Sequence, residues 1–235
     1  MDAFWGSQGY IDGFFLDATP KVADGQNGGP GPADLKLWGQ MVDELKAPLG
    51  PGAIVIDNGF FLAGEYPHNK QLAGTDAWVH TGASYAESLA SVGDGTKDSE
   101  QDILHLAWLA NATAANPQLE LIGHGTIFPN ATNATTLDPV FEFGLAKYML
   151  VTASMETGWF LANSGYSIDG GLLAQPTSVY GGAGLGCGEP TAAFVREGKT
   201  TMLTRQYDHG TVAVDVKEGT ATIRCWRNDS AGRFI

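Results

Sequence analysis

The chain has 235 residues, 43% of them hydrophobic, which is enough for one large domain with a packed core. Its 26 acidic and 13 basic side chains give a formal net charge of -13, which repels phosphate groups and argues against nucleic acid as a partner. No apolar run reaches the roughly 18 residues of a membrane-spanning helix, and the first residues lack the pattern of a signal peptide, so we expect no membrane partner.

Five short apolar runs each stop at a polar or titratable residue. Strands that are buried on both faces of a parallel sheet appear as such runs, and α/β folds place their chemistry where the strands end. The runs are GFFLDAT (13–19), AIVIDNG (53–59), AWVHTG (77–82), LELIGHG (119–125) and GWFLANSG (158–165). The candidate site residues that end them are Asp17, Asp57, His80, His124 and Asn163, with Glu65 and Glu87 in the loops just beyond.

Three amphipathic or apolar segments between these runs predict helices, over residues 33–46, 98–114 and 139–155. Alternation of strands and helices is typical of βαβ units and indicates a parallel sheet. The third helix is apolar on most sides, which predicts that something besides the sheet covers it.

From Ala192 onward the pattern changes to short segments of period two, AAFVREG, TTMLTRQYD, TVAVDV and TATIRCWR, separated by turns. They predict antiparallel hairpins. We therefore divide the chain into an α/β body, residues 1–165, and a connecting loop with a small antiparallel β domain, residues 166–235. Cys187 and Cys225 permit at most one disulfide, and no cysteine spacing indicates a structural zinc ion.

Four Asn-x-Ser/Thr sequons, at Asn111, Asn130, Asn133 and Asn228, favour an extracellular or secretory-pathway protein. The alternative is that a chain rich in threonine contains such triplets by chance. The sequence leaves both interpretations open.

One known family shares the order of these motifs. The succession DGFFLDAT, AIVIDNG, DAWVHTGASYAESL, LELIGHG, FGLAKYMLVTASMETGWFLANSGYS, LGCGEP, REG and TRQYDHGTVAVDV resembles the carboxyl-terminal part of TIM-barrel glycoside hydrolases, specifically the hypothetical family-15-like group. In that group the barrel is followed by an LGxPxG-like turn and a β domain with the signature R-x-F/Y-x-x-G-x-V. The resemblance implies a (β/α)8 TIM-barrel-like fold with a small carboxyl-terminal antiparallel β domain.

The resemblance also implies a barrel that is incomplete at its amino end, since GFFLDAT would be about the fourth of the eight strands. An incomplete barrel exposes parallel strand edges and apolar surface. We therefore expect a homo-oligomer, or association with a missing amino-terminal portion.

Hydrolysis of a glycosidic bond requires two carboxyl groups, one as acid and one as nucleophile or base. The candidates are Asp17, at the end of an apolar strand, Asp57, where the family commonly carries a polar residue, and Glu87, where the family tends to place a glutamate. The structural alternatives are an Asx turn into Gly59 for Asp57 and a helix-terminal role for Glu87.

Other candidates suit substrate binding. Histidines at strand ends can hydrogen-bond sugar hydroxyls, and aromatic rings can stack on sugar faces, although both residue types more commonly belong to a core. The predicted substrate-binding residues are His124, His80, Tyr85, Trp78, Asn163 and Glu65.

The sequence therefore predicts a glycoside hydrolase-like protein that acts on or binds a poly- or oligosaccharide. The alternative is a non-catalytic carbohydrate-binding or structural assembly protein derived from a glycosidase barrel. We expect no cofactor. A metal site of His80, His124 and Asp57 has no spacing signature, and the glycine-rich run 181–186 lacks the flanking strand and helix of a phosphate loop.

Overall fold

A computed structural model describes residues 13–16, 32–50, 52–57, 82–86, 99–115, 120–126, 139–155, 159–163 and 186–225. These residues contain three helices and nine strands in two sheets. The helices are α1 (Pro32–Lys46), α2 (Ser99–Ala115) and α3 (Pro139–Val151). The strands are β1 (Gly13–Leu16), β2 (Ile54–Asp57), β3 (Gly82–Ala86), β4 (Glu120–Thr126), β5 (Trp159–Asn163), β6 (Val195–Arg196), β7 (Met202–Tyr207), β8 (Gly210–Asp215) and β9 (Thr220–Cys225).

The first sheet is parallel throughout, and its strands lie in chain order from β1 to β5. Each described strand therefore pairs with the next one along the chain, as in a sheet wound in one direction. This order is compatible with part of a (β/α) barrel and equally with an open sheet. Closure into a TIM barrel stays a prediction.

The two faces of this sheet differ at its β1 end. Val55 is fully buried on the face next to α1, whose Val42 is also fully buried. Ile54 is one residue earlier and therefore on the other face, and it is 54% exposed. Phe15, which pairs with Ile56 and so belongs to the same face as Ile54, is 52% exposed. Here apolar surface lies on the face opposite the helix.

Helix α3 is the centre of the described core. It contacts α2 and the strands β4 and β5 of the parallel sheet, and also β8 and β9 of the second sheet. Nearly every residue of its last two turns is buried, and the Tyr148 hydroxyl donates to the carbonyl of Leu121 in β4 at 3.3 Å. The prediction that an element beyond the sheet covers this helix is confirmed.

The second sheet is antiparallel in the order β6 to β9, which confirms the predicted hairpins. A two-residue turn, Asp208 and His209, joins β7 to β8. The inward residues of this sheet belong to the same hydrophobic cluster as those of α2, α3 and β4. A disulfide joins Cys187 to Cys225 at the end of β9.

Two element boundaries differ from the sequence-based expectation. The third strand that pairs with its neighbours is GASYA, residues 82–86, so Tyr85 lies within a strand rather than in the loop after one. Cross-strand pairing, not apolar character alone, selects the residues of a strand. Helix α3 ends at Val151, earlier than Met155, because side chains from other elements take up its last carbonyl groups.

Candidate functional site

Four of the predicted site residues lie in strands of the parallel sheet, at or near its carboxyl-end edge. Asp57 and Asn163 are the last residues of β2 and β5, Tyr85 is the penultimate residue of β3, and His124 is two residues from the end of β4. The other five, Asp17, Glu65, Trp78, His80 and Glu87, lie outside the described residues. In the sequence Asp17 and Glu87 directly follow the last residues of β1 and β3.

Three of these residues share one face of the sheet. Tyr85 pairs in register with Ile122, two residues before His124, and Asn163 pairs with Thr126, two residues after it. Alternate residues of a strand, and paired residues of neighbouring strands, belong to the same face. Successive members of this trio are one strand apart and offset by two residues. With a rise of about 3.3 Å per residue and about 4.8 Å between strands, their Cα atoms are roughly 8 Å apart.

Asp57 belongs to the other face by the same register. It pairs with Ser84 and follows Val55 by two residues, and Val55 lies on the face covered by α1. By register, Tyr85, His124 and Asn163 therefore belong to one face of the sheet, and Asp57 belongs to the other.

The best-defined polar cluster lies at the opposite edge of the sheet, where α3 ends shortly before β5 begins. A helix leaves its last four carbonyl groups without intrahelical donors, and here every one of them has a partner. The amide of Thr152 donates to the carbonyl of Tyr148, and the Thr113 hydroxyl donates to the carbonyl of Val151. Arg205 donates to the carbonyls of Met149 and Leu150, and the Tyr207 hydroxyl also donates to the carbonyl of Met149.

Arg205 makes most of these contacts. Its Nη1 lies 2.9 Å from the carbonyl oxygens of Met149 and Leu150 and 2.7 Å from that of Thr152, while Nε donates to the Ala192 carbonyl at 2.8 Å. Arg205 as a whole residue is 8% exposed. A cation at a helix carboxyl end complements the negative end of the helix dipole, so the contact is electrostatically favourable as well as directional.

The electrostatics of this cluster follow from burial. Burial lowers the pKa of Arg205, while Tyr207 and Glu189 oppose that shift, and arginine titrates so far above neutrality that it stays charged. Burial also raises the pKa of Tyr207, which keeps its hydroxyl protonated as a donor to the Met149 carbonyl. The cluster therefore holds one fixed positive charge at the end of α3.

Glu189 connects this cluster to a loop, residues 186–190, that we call the Cys187 loop. Its carboxylate accepts the amide of Met155 at 2.9 Å, and its own amide donates to the Asp208 carboxylate at 3.0 Å. Gly186 and Gly188 in this loop have positive φ angles of 69° and 72°. A Cβ on Gly188 would lie 2.7 Å from that of Asp208, so both backbone conformation and space require glycine there.

These contacts give a structural account of the segment RQYDHGTV, residues 205–212, which matches the β-domain signature quoted above. Arg205 and Tyr207 hold the end of α3, Gly210 lets β9 approach closely, and Val212 is fully buried. Arg205 is not among the site residues predicted from the sequence. The sequence pattern that could have identified it is the alternation of β7, in which Arg205 takes a buried position between Leu203 and Tyr207.

A second polar contact joins the antiparallel sheet to the beginning of α2. Arg196 forms a bidentate ion pair with Glu100, with Nη1 2.8 Å from Oε2. The hydrogen bond from this arginine lowers the pKa of the Glu100 carboxyl. The antiparallel sheet is thus attached to both the first turn of α2 and the last turn of α3.

The sequon at Asn111 has a structural explanation for its threonine. Asn111 is exposed in helix α2, but Thr113 is buried and its hydroxyl bonds the carbonyls of Ala110 and Val151. Thr113 is therefore explained by packing, whether or not Asn111 carries a glycan. The other three sequons lie outside the described residues.

Within the described ranges, no group of three or more His, Cys, Asp or Glu side chains is arranged to hold a metal ion. None of the helices described is both long and apolar enough to cross a bilayer.

No protein-family model matches the chain, and no curated protein is significantly similar to it. The likeness to glycoside hydrolases therefore rests on the residues and motifs quoted above.

Proposed function

We propose that the chain is a glycoside hydrolase-like protein that contacts an oligo- or polysaccharide at the carboxyl-end edge of its parallel sheet. The observation that carries the proposal is the shared face of Tyr85, His124 and Asn163 in three consecutive strands. An aromatic ring, an imidazole and an amide together offer a stacking surface and both donors and acceptors, which sugars require.

The proposed carboxyl groups are those of Asp17 and Glu87, each of which directly follows a strand of this sheet in the sequence. One would protonate the leaving oxygen, and the other would act as nucleophile or as base for a water. A third candidate, Asp57, lies on the face with Val55, and this placement favours a structural role for it over a catalytic one. His80, Trp78 and Glu65 remain further candidates for sugar contacts.

A non-catalytic carbohydrate-binding protein is the second candidate. It is favoured by the same register, because Tyr85, Thr126 and Asn163, which share the carboxyl-end part of the face with His124, are neutral hydrogen-bonding residues, whereas Asp57 belongs to the other face. The acidic residue of that face, Glu120, is at the amino end of β4. A binding protein needs only stacking and hydrogen-bonding groups, without a pair of carboxylates in one cleft.

Replacing both His124 and Asn163 with alanine should weaken oligosaccharide binding at least about fivefold, since each lost hydrogen bond contributes roughly 0.5–1.5 kcal/mol. Binding is measured by calorimetry against a panel of neutral and charged oligosaccharides. The matched control is Asp208→Asn with Thr222→Ala, a double variant in the antiparallel sheet, which should bind as the unmodified protein does.

Asp17→Asn and Glu87→Gln separate the two candidate functions. If the protein is a hydrolase, either change should abolish turnover of a bound oligosaccharide while binding and the thermal midpoint stay nearly unchanged. Binding without turnover in the unmodified protein would support the binding protein instead. Absence of binding to every member of the panel would contradict both.

We further propose that the β1 end of the sheet associates with a second copy of the chain. Large apolar side chains are exposed on β1, α1 and β2, namely Phe15 (52%), Leu37 (64%), Met41 (40%) and Ile54 (54%). Burial of such surface contributes about 25 cal/mol per Å², enough to favour association. We expect a mass above 24.8 kDa by sedimentation or light scattering at micromolar concentration, and Phe15→Glu with Leu37→Glu should shift it toward the monomer. A stable monomer of the unmodified chain would contradict the association.

The disulfide and the sequons favour an extracellular or secretory-pathway location for this protein, because disulfides persist in oxidising compartments.

A further inference from the structure

The disulfide fastens the last residue of β9 to the Cys187 loop. Cys187 is fully buried, whereas Cys225 is half-buried, and their Cα atoms are 4.6 Å apart. The carbonyl of Cys187 also accepts the amide of His209, in the turn between β7 and β8, at 2.8 Å. The bridge therefore ties one side of this loop to two different parts of the antiparallel sheet.

The other side of the Cys187 loop reaches the segment that follows α3. Glu189, two residues after Cys187, accepts the amide of Met155 at 2.9 Å. Its main-chain groups pair with Asp208, and Tyr207, the residue before Asp208, donates to the Met149 carbonyl inside α3. A continuous set of contacts thus runs from the disulfide to the carboxyl end of α3.

We propose that the Cys187–Cys225 bridge is a redox-sensitive lock on the junction between the antiparallel sheet and α3. With the bridge formed, Glu189 holds Met155. With the bridge reduced, the Cys187 loop moves and Glu189 releases Met155, while the ladder between β7 and β8 stays paired. This inference goes beyond the proposed carbohydrate function and does not depend on it.

The physical cause of the movement is the space that two separate sulfur atoms need. Bonded sulfurs lie about 2.0 Å apart, whereas non-bonded heavy atoms pack at about 3.5–4.0 Å. Since Cys187 is fully buried against the core, the extra distance has to come from displacement of its loop or of the end of β9.

The reductant is a small dithiol. One of its thiolates attacks the Sγ of Cys225, the more exposed of the two, and the bond between the cysteines breaks, so that Cys187 leaves as a thiolate and takes up a proton. The second thiolate of the reagent then attacks the mixed disulfide and releases Cys225 as a thiol. The protein gains two electrons and two protons, and the dithiol becomes a cyclic disulfide.

Amide hydrogen exchange of the full chain, with and without dithiothreitol, tests the lock. Reduction, verified by titration of free thiols, should speed exchange of the Met155 and His209 amides by at least about tenfold, because local openings expose protected amides. The amides of Val212 and Val214, in the β8 ladder, are the internal control and should change less than about twofold.

Two variants keep the test decisive. The Cys187→Ala, Cys225→Ala double variant has no sulfur atoms to separate, so dithiothreitol should leave exchange of its Met155 and His209 amides unchanged. Glu189→Ala in the oxidised protein should release Met155 but leave His209 protected. Acceleration at Met155 by dithiothreitol in the double variant, or none in the unmodified protein, would overturn the proposal. Equal acceleration at Val212 would overturn it too, because the bridge would then hold the whole sheet rather than the junction.

Discussion

Replacing Arg205 with methionine should lower the free energy of unfolding by about 3–5 kcal/mol. The change keeps much of the apolar volume of the side chain but removes the Nη1 donor to the carbonyls of Met149, Leu150 and Thr152. The Met149 carbonyl keeps the Tyr207 hydroxyl as a donor, whereas Leu150 and Thr152 lose the guanidinium contact. Buried acceptors that lose their donors keep the full cost of their desolvation, and the helix end also loses the charge that complements its dipole. Urea unfolding at pH 7 measures the loss.

Arg224→Met is the matched control, since it removes an exposed arginine from the neighbouring strand β9, and it should change stability by no more than about 0.5 kcal/mol. Arg205→Lys should recover part of the loss, because an ammonium keeps the charge but lacks the planar array of donors. A loss below about 1 kcal/mol for Arg205→Met would show that water replaces the guanidinium and that the cluster does not stabilise the end of α3.

Gly210→Ala should destabilise the protein by about 2–3 kcal/mol. A Cβ at this position would lie 2.5 Å from the carbonyl oxygen of Arg224 and 3.1 Å from the Cα of Cys225, both of them backbone atoms of β9. Because a backbone cannot give way as a flexible side chain can, β8 and β9 must move apart, and the ladder between them weakens.

Gly52→Ala makes the same substitution where a Cβ would meet nothing within 4 Å, so it should be neutral or slightly stabilising. Thermal unfolding of both variants at one protein concentration measures the difference. If the two variants have equal midpoints, close approach of β9 is not what requires glycine at position 210.

The carboxyl-end positions of Asp57 and Asn163 could be predicted from sequence, because an apolar run that stops at a polar residue reports where burial ends. Their faces could not. A shift of one residue in register moves every residue of a strand to the opposite face, and the described strand β3 includes Tyr85, which the sequence pattern placed in a loop. Only the register separates Asp57 from the face that Tyr85, His124 and Asn163 share.

The sequence by itself determined the alternation of strands and helices, the antiparallel end of the chain and the need for cover around α3, because periodicity of 2 or 3.6 residues records local burial. Only the tertiary structure decided that the antiparallel sheet covers α3 and which of its side chains bind the carbonyls at the end of that helix. Arg205 meets the Met149 carbonyl across 56 residues, and Cys187 meets Cys225 across 38. No local pattern records which distant groups satisfy the carbonyls at the end of a helix, because that pairing depends on how the elements pack in space.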